Sequence, residues 1–175
     1  MVLYILKRSR RARYMRLTVR PGGEIVLTAP FAVPASAIEG FFTEHRTWID
    51  KSVARMRRFR PLPVRGRRAY LAHKEAAREF ITKRVAYWNR GYNFVHGRIA
   101  IKNTKRLWGS CSHKGNLNFS YLLLYLPREL ADYVVVHELC HLQERNHGPG
   151  FWKLVAEALP DYALHRKELR RYLPS

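Results

Sequence analysis

The stretch Val134-Val135-Val136-His137-Glu138-Leu139-Cys140-His141-Leu142-Gln143-Glu144-Arg145-Asn146-His147 decides how the rest of this chain is read. It contains His-Glu-x-x-His, a motif whose geometry suits a catalytic zinc. Residues four apart on an α-helix lie only about 40° apart around its axis, so the rings of His137 and His141 project from one face, a turn apart. Glu138 is turned about 100° from His137, poorly placed to share a metal but within reach of a water on it. The apolar approach Val134 to Val136 predicts that this helix is buried.

Catalytic zinc takes three protein ligands and keeps one position for water. His147 is the candidate third ligand, but in a continuing helix it would sit about 240° round from His141, on the wrong side. The helix is therefore expected to run from near Arg128 to near Glu144 and to close at Asn146, which tolerates the left-handed conformation. Gly148-Pro149-Gly150 bars continuation, and a reversal at Arg145-Asn146 returns His147 to the metal. The His-to-His spacing is that of the metzincin pattern, with Glu144 where that pattern has glycine, which reads as the same ligand layout on a different turn. The bland alternative, a buried helix with hydrogen-bonded histidines, must bury two histidines and an acid on adjoining positions without a metal, at considerable cost.

The chain has 175 residues, 47% of them hydrophobic and 13% aromatic, values of a folded globule rather than a disordered tail. Its formal net charge of +20 is extreme. Such a field attracts polyanions, so nucleic acid or acidic proteins are candidate partners beside the plain reading of an arginine-rich, soluble surface. Two cysteines, Cys111 and Cys140, do not make a disulfide scaffold. The N-terminus carries its charge after a very short apolar run, the reverse of a signal peptide, and no run approaches the ~20 residues of a membrane span. A cytosolic protein with no membrane partner is expected.

Residues 2–30 read as a small antiparallel sheet: Met15, Leu17 and Val19 alternate with Tyr14, Arg16, Thr18 and Arg20, and Pro21-Gly22-Gly23 turns the chain into Ile25, Leu27 and Ala29. Lys7, Arg8, Arg10, Arg11, Arg13, Arg16 and Arg20 form either a solvated face or a phosphate-binding patch. A helix follows, with Ser36 and Glu39 as a capping box after Pro34 and a core stripe of Ile38, Phe41, Phe42, Ile49, Val53 and Met56, beside His45 and Trp48. The Pro-rich, basic stretch Pro61 to Arg68 is the one plausible linker, dividing a basic sheet-and-helix region (1–60) from a larger core (61–175). A long helix over Ala69–Asn89 is expected to bury Ala76, Phe80, Val85 and Trp88, with His73 exposed. Phe94-Val95 and Arg98 to Ile101 look like strand, and the segment from Thr104 to Ser120 reads as two strands turned at Lys114-Gly115-Asn116. Two helices close the chain, one opened by Phe151-Trp152 and one running through Leu164 and Leu169 to Leu173, with His165 on the surface.

Trp108-Gly109-Ser110-Cys111-Ser112, together with Val135-Val136-His137-Glu138-Leu139-Cys140-His141-Leu142 and Arg145-Asn146-His147-Gly148-Pro149-Gly150-Phe151-Trp152, resembles the YgjP-like metallopeptidases, and the resemblance extends over nearly the whole chain. It implies a zincin-like α+β fold, Zn2+ on His137, His141 and His147, and Glu138 as the catalytic acid–base group. That family is in turn similar to the SprT-type proteases, which act on DNA-associated proteins. One departure stands out: the family usually has an arginine directly before the Trp108 position, whereas here Leu107 occupies it and Arg106 precedes it.

The expected chemistry is peptide hydrolysis, with zinc acidifying water and Glu138 moving its proton to the leaving amine. An edge strand beside the metal helix would let an extended peptide pair across the metal. Tyr121, His113 and Arg145 are candidates for stabilising the oxyanion, and Cys140 is expected to pack in the core. The competing readings are a nucleic-acid-binding protein with DNA-dependent proteolysis or a structural zinc, and a metal hydrolase acting on a non-peptide bond.

Overall fold

The structure, a computed structural model, describes residues 3–62, 66–104 and 107–172. It is α+β, and its contacts divide the chain into two compact units, Met1–Pro61 and Leu62–Ser175. Of the stretch read as a linker, Pro63, Val64 and Arg65 lie outside the described residues, as do Met1, Val2, Arg106 and Leu173. Among the described residues no helix is long and apolar enough to cross a membrane.

In the first unit, β1 (Ile5–Arg8), β2 (Arg16–Val19) and β3 (Ile25–Ala29) form one sheet in the order β1-β3-β2. β2 and β3 are the antiparallel hairpin that the Pro21-Gly22-Gly23 turn predicts, with Gly22 and Gly23 both at positive φ. β1, however, joins the far side of β3 in parallel, so the sheet is mixed rather than antiparallel throughout. Alternation reveals which face a side chain takes, not which neighbour a strand chooses. Ile25, Leu27 and Ala29 turn toward α1 (Ala35–Glu44) and α2 (Arg46–Met56), where they pack with Ile38, Phe42 and Ile49.

The expected single helix is thus two. Pro34 is the cap of α1, which puts Ser36 inside the first turn, where it makes no capping bond. The break falls at His45, whose ring Nδ1–H donates to the Phe41 carbonyl at 2.8 Å and whose own carbonyl starts α2 by accepting from Ile49 N–H at 2.9 Å. Trp48, read as lying beside the core stripe, is 46% exposed.

The second unit begins with α3 (Arg67–Tyr92), which ends at Asn93 in the left-handed conformation. Its buried face is Ala77, Ile81, Arg84 and Val85, one position round from the expected Ala76 and Phe80. Phe94-Val95 is not strand: the Asn89 side-chain amide bonds both the N–H and the carbonyl of Phe94, whose ring stacks on Tyr92, and Val95 is exposed. The second sheet is β4 (Ile99–Lys102), β5 (Gly109–Cys111) and β6 (Leu117–Ser120), ordered β4-β6-β5, so β5 is an edge strand antiparallel to β6. The apolar run after it folds as a 3-10 turn, Tyr121–Tyr125, started by Ser120 Oγ accepting from Leu122 N–H. Then come α4 (Arg128–Cys140), α5 (Pro149–Ala158) and α6 (Tyr162–Leu169).

Every residue of α4 from Leu130 to Val136 is buried, including Asp132. That carboxylate is paired bidentately with the buried Arg84 of α3, at 2.5 and 2.7 Å, and the guanidinium also lies 4.5 Å from the Tyr87 ring centroid. Removing one partner strands a buried charge. Asp132→Ala is therefore expected to cost about 3–5 kcal/mol in urea unfolding, and the double replacement Arg84→Met with Asp132→Leu distinctly less. A double variant as unstable as the sum of its singles would show that the pair is not coupled.

Candidate functional site

Three histidines converge at the C-terminal end of α4. The ring centroids of His137, His141 and His147 form a nearly equilateral triangle with sides of 4.8, 4.9 and 4.7 Å. One ring nitrogen from each lies within 4.8 Å of the other two, and His137 Nε2 is 3.0 Å from His147 Nε2. Among the described residues no fourth acid, cysteine or histidine completes this group.

The fold brings His147 in differently from the sequence expectation. α4 stops at Cys140, well before Asn146, and the chain tightens at once: Leu142 N–H reaches Leu139 O at 2.9 Å, and Gln143 and Glu144 both donate to Cys140 O. Among the described non-glycine residues only Asn93 has positive φ, so no left-handed residue at Asn146 is involved. The early stop frees the Glu144 carbonyl, which accepts the Nδ1–H of His141 at 2.9 Å. A carbonyl can only accept, so this bond fixes the tautomer and leaves His141 Nε2 with its lone pair toward the cluster.

The platform beneath the triangle was not read from the sequence. Phe151 of α5 is fully buried, with its ring centroid 4.9, 4.5 and 4.7 Å from those of His137, His141 and His147. Trp152 stacks on His147 at 5.7 Å, Tyr162 stacks on Trp152 at 5.2 Å, and the Arg166 guanidinium lies 4.8 Å from the Trp152 ring centroid. The exposed third histidine is thus held by an aromatic column from α5 and α6. The Phe151-Trp152 pair was legible only as the start of a helix.

Burial, aided by the neighbouring imidazoles, drives His137 down to about 3, and burial also lowers His141. Both are neutral near neutral pH, the state in which imidazole binds a metal. Nδ1 of His137 is buried without a hydrogen-bond partner. These neutral imidazole donors on an apolar floor fit a borderline-soft divalent ion such as zinc.

Glu138 lies beside them, 5% exposed, with Oε2 unpartnered. Burial pushes its carboxyl up to about 8, opposed by the Cys111 backbone N–H. The side chain lies against edge strand β5 at Gly109, where an added Cβ would come within 2.7 Å of both Cγ and Oε1 of Glu138. A glycine is needed there for close approach, a requirement invisible without the packing. All of β5 lines the cleft in front of the histidines, a cavity of about 450 Å³.

Of the candidates for oxyanion stabilisation, Tyr121 is fully buried and does not line this cleft, whereas His113 and Arg145 do. Arg145 is already engaged: it donates to the carbonyls of Ser112 at 2.8 Å and His113 at 3.2 Å, clamping the loop after α4 to the β5–β6 turn. Cys140 is buried, its Sγ 3.6 Å from the Tyr92 hydroxyl. His73 packs edge-on against Tyr125, away from the site.

Gly109→Ala should displace the Glu138 side chain and cost about 1–3 kcal/mol, the range for overpacking a tight contact. The check is a thermal melt of the variant beside wild type. An unchanged melting temperature would show that the Gly109–Glu138 contact is not tight.

The family model described as "YgjP-like, metallopeptidase domain" matches residues 13–71 and 64–172. No curated protein sequence matches the chain. Among solved structures, the metallopeptidase zymogen abylysin of Pyrococcus abyssi aligns at 21% identity over 52% of this chain and 90% of its own, with a TM-score of 0.46. The metallopeptidase zymogen jannalysin of Methanocaldococcus jannaschii aligns at 25% identity over 51% of this chain and 91% of its own, with a TM-score of 0.45. The family match, spanning both units, is what identifies the protein: the chain belongs to the YgjP-like family of metallopeptidase-domain proteins.

Proposed function

We propose that the protein is a zinc-dependent peptidase in which His137, His141 and His147 hold the metal and Glu138 is the general base. One observation carries this reading: three imidazole nitrogens mutually within 4.8 Å, with a buried, half-unpartnered carboxyl beside them and no fourth side chain closing the group among the described residues. A structural zinc would call for a fourth protein ligand, so the open set favours catalysis.

A bound zinc would supply Lewis-acid polarisation of the scissile carbonyl and acidify the attacking water. The chain's own groups do the rest. Glu138 in its ionised form takes the water proton on a carboxylate oxygen and returns it to the leaving amine. Because burial raises its carboxyl, that form gains population as pH rises toward and past about 8. Its contact with Gly109 keeps the carboxyl against β5, and the Glu144 carbonyl keeps His141 in one tautomer. β5 is an edge strand and all three of its residues line the cleft, so an extended peptide that pairs with its free edge would lie along the histidine cluster. Arg145, holding the β5–β6 turn, sets the height of that edge.

Glu138→Gln is expected to lower turnover of an unstructured protein such as casein by roughly 100- to 10,000-fold while zinc content stays at the wild-type level. Full proteolysis by the loaded variant would remove Glu138 from the mechanism, and no cleavage by loaded wild type on any unfolded substrate would overturn the peptidase reading. His147→Ala should weaken zinc binding at least tenfold. In wild type, chelation should lower the melting temperature and added zinc restore it, because a ligand that binds only the folded state stabilises it. A melting temperature indifferent to both would count against a resident metal.

A further inference from the structure

We infer that the sheet of the first unit carries a binding site for single-stranded nucleic acid, separate from the histidine cluster and independent of the peptidase reading. Two of the seven cations in this region are spent internally. Arg8 donates to the carbonyls of Pro30, Phe31 and Val33, and Arg20 pairs with Glu24 at 2.5 Å. The Arg8 bonds, with Ser9 N–H to Ala29 O at 3.0 Å, fasten the segment from Ser9 to Met15 onto the sheet. That segment presents Arg10, Arg11 and Arg13, all exposed and without an ion pair among the described residues.

Register then adds to the patch. Lys7 of β1, Thr28 of β3 and Arg16 of β2 are lateral neighbours, so their side chains share the face opposite α1 and α2. Arg11, Arg13, Arg16 and Thr28 line one open groove of about 430 Å³ together with Tyr14. Tyr14 is 82% exposed, a large ring held out in the midst of guanidinium groups. Phe31, 61% exposed, lies nearby with Arg10 5.9 Å from its ring centroid.

Acidic protein would satisfy the charge but leaves the rings unexplained. A duplex hides the faces of its bases. A single strand offers both what the arginines take, phosphates spaced along a backbone, and what Tyr14 takes, the flat face of an unpaired base. Guanidinium forks suit phosphate oxygens, and a chain with net charge +20 draws such a polyanion in from a distance.

The test is fluorescence anisotropy of the full chain with labelled single-stranded RNA, single-stranded DNA and duplex DNA of equal length, over a salt series. Arg11→Ala/Arg13→Ala/Arg16→Ala should weaken single-strand binding at least tenfold and flatten the salt slope by about 2, three contacts at about 0.7 each. Tyr14→Leu should weaken it at least fivefold, within the range that stacking one base contributes, and leave duplex binding unchanged. The RNA and DNA arms tell which strand is preferred, and circular dichroism melts check that each variant folds. Arg55→Ala/Arg58→Ala/Arg90→Ala removes the same charge elsewhere. Equal weakening by that control would reduce the effect to net charge and overturn the site. So would tighter binding of duplex with Tyr14→Leu silent, or no binding of any strand at low salt.

Discussion

α4 buries its residues from Leu130 to Val136 on every side, so it has no solvent-facing stripe on which a charge could sit cheaply. Polar groups on it must be paired, neutral, or delivered to the helix end where the core opens. Asp132 is paired by Arg84, His137 is held neutral by burial, and Glu138, at the C-terminal end against β5, is itself buried and shifted toward its neutral form. The cost of burying polar groups is what makes the site sparse and specific, because a side chain retained there without a partner needs a role.

The neighbouring elements answer to that helix. α3 supplies the guanidinium that makes Asp132 tolerable, and β5 supplies a glycine where any side chain would collide with Glu138. α5 supplies the aromatic floor, and α6 backs it through Tyr162 and Arg166. Among the described residues the three imidazoles are held by flat rings and a carbonyl rather than by carboxylate partners. Such a set leaves the imidazoles without an added negative charge at the cluster, while the stacked column limits their rotation.

The first unit is organised on other terms. Its core is small, Ile25, Leu27 and Ala29 against Ile38, Phe42 and Ile49, and its other sheet face carries Lys7 and Arg16 beside Ile5, Thr18, Val26 and Thr28. The same alternation that puts Leu17 and Val19 inward puts Arg16 and Thr18 outward. Charge there is a direct consequence of strand periodicity, and the proposed binding site rests on the exposed Tyr14 beside arginines that have no ion pair among the described residues.

Much of the histidine cluster was legible in the residues themselves. The spacing of His137, Glu138 and His141 is a property of any α-helix, and Gly148-Pro149 bars continuation in any context, so the three histidines singled out by spacing are the three that the fold brings together. The alternations in β2 and β3 were legible for the same reason: covalent spacing sets which face a side chain takes. Where α4 stops, which way β1 runs, why Ser36 caps nothing and why position 109 is glycine were not legible. Those depend on which backbone groups find partners across the chain and how closely distant atoms pack. Asn146 looked like the helix terminator because it tolerates the left-handed region. The terminator chosen was instead an early tightening at Cys140, which frees the Glu144 carbonyl for His141 and sets His147 on the Phe151 floor. Local periodicity belongs to the sequence, whereas hydrogen-bond exchange and van der Waals contact between remote residues exist only once the chain has folded.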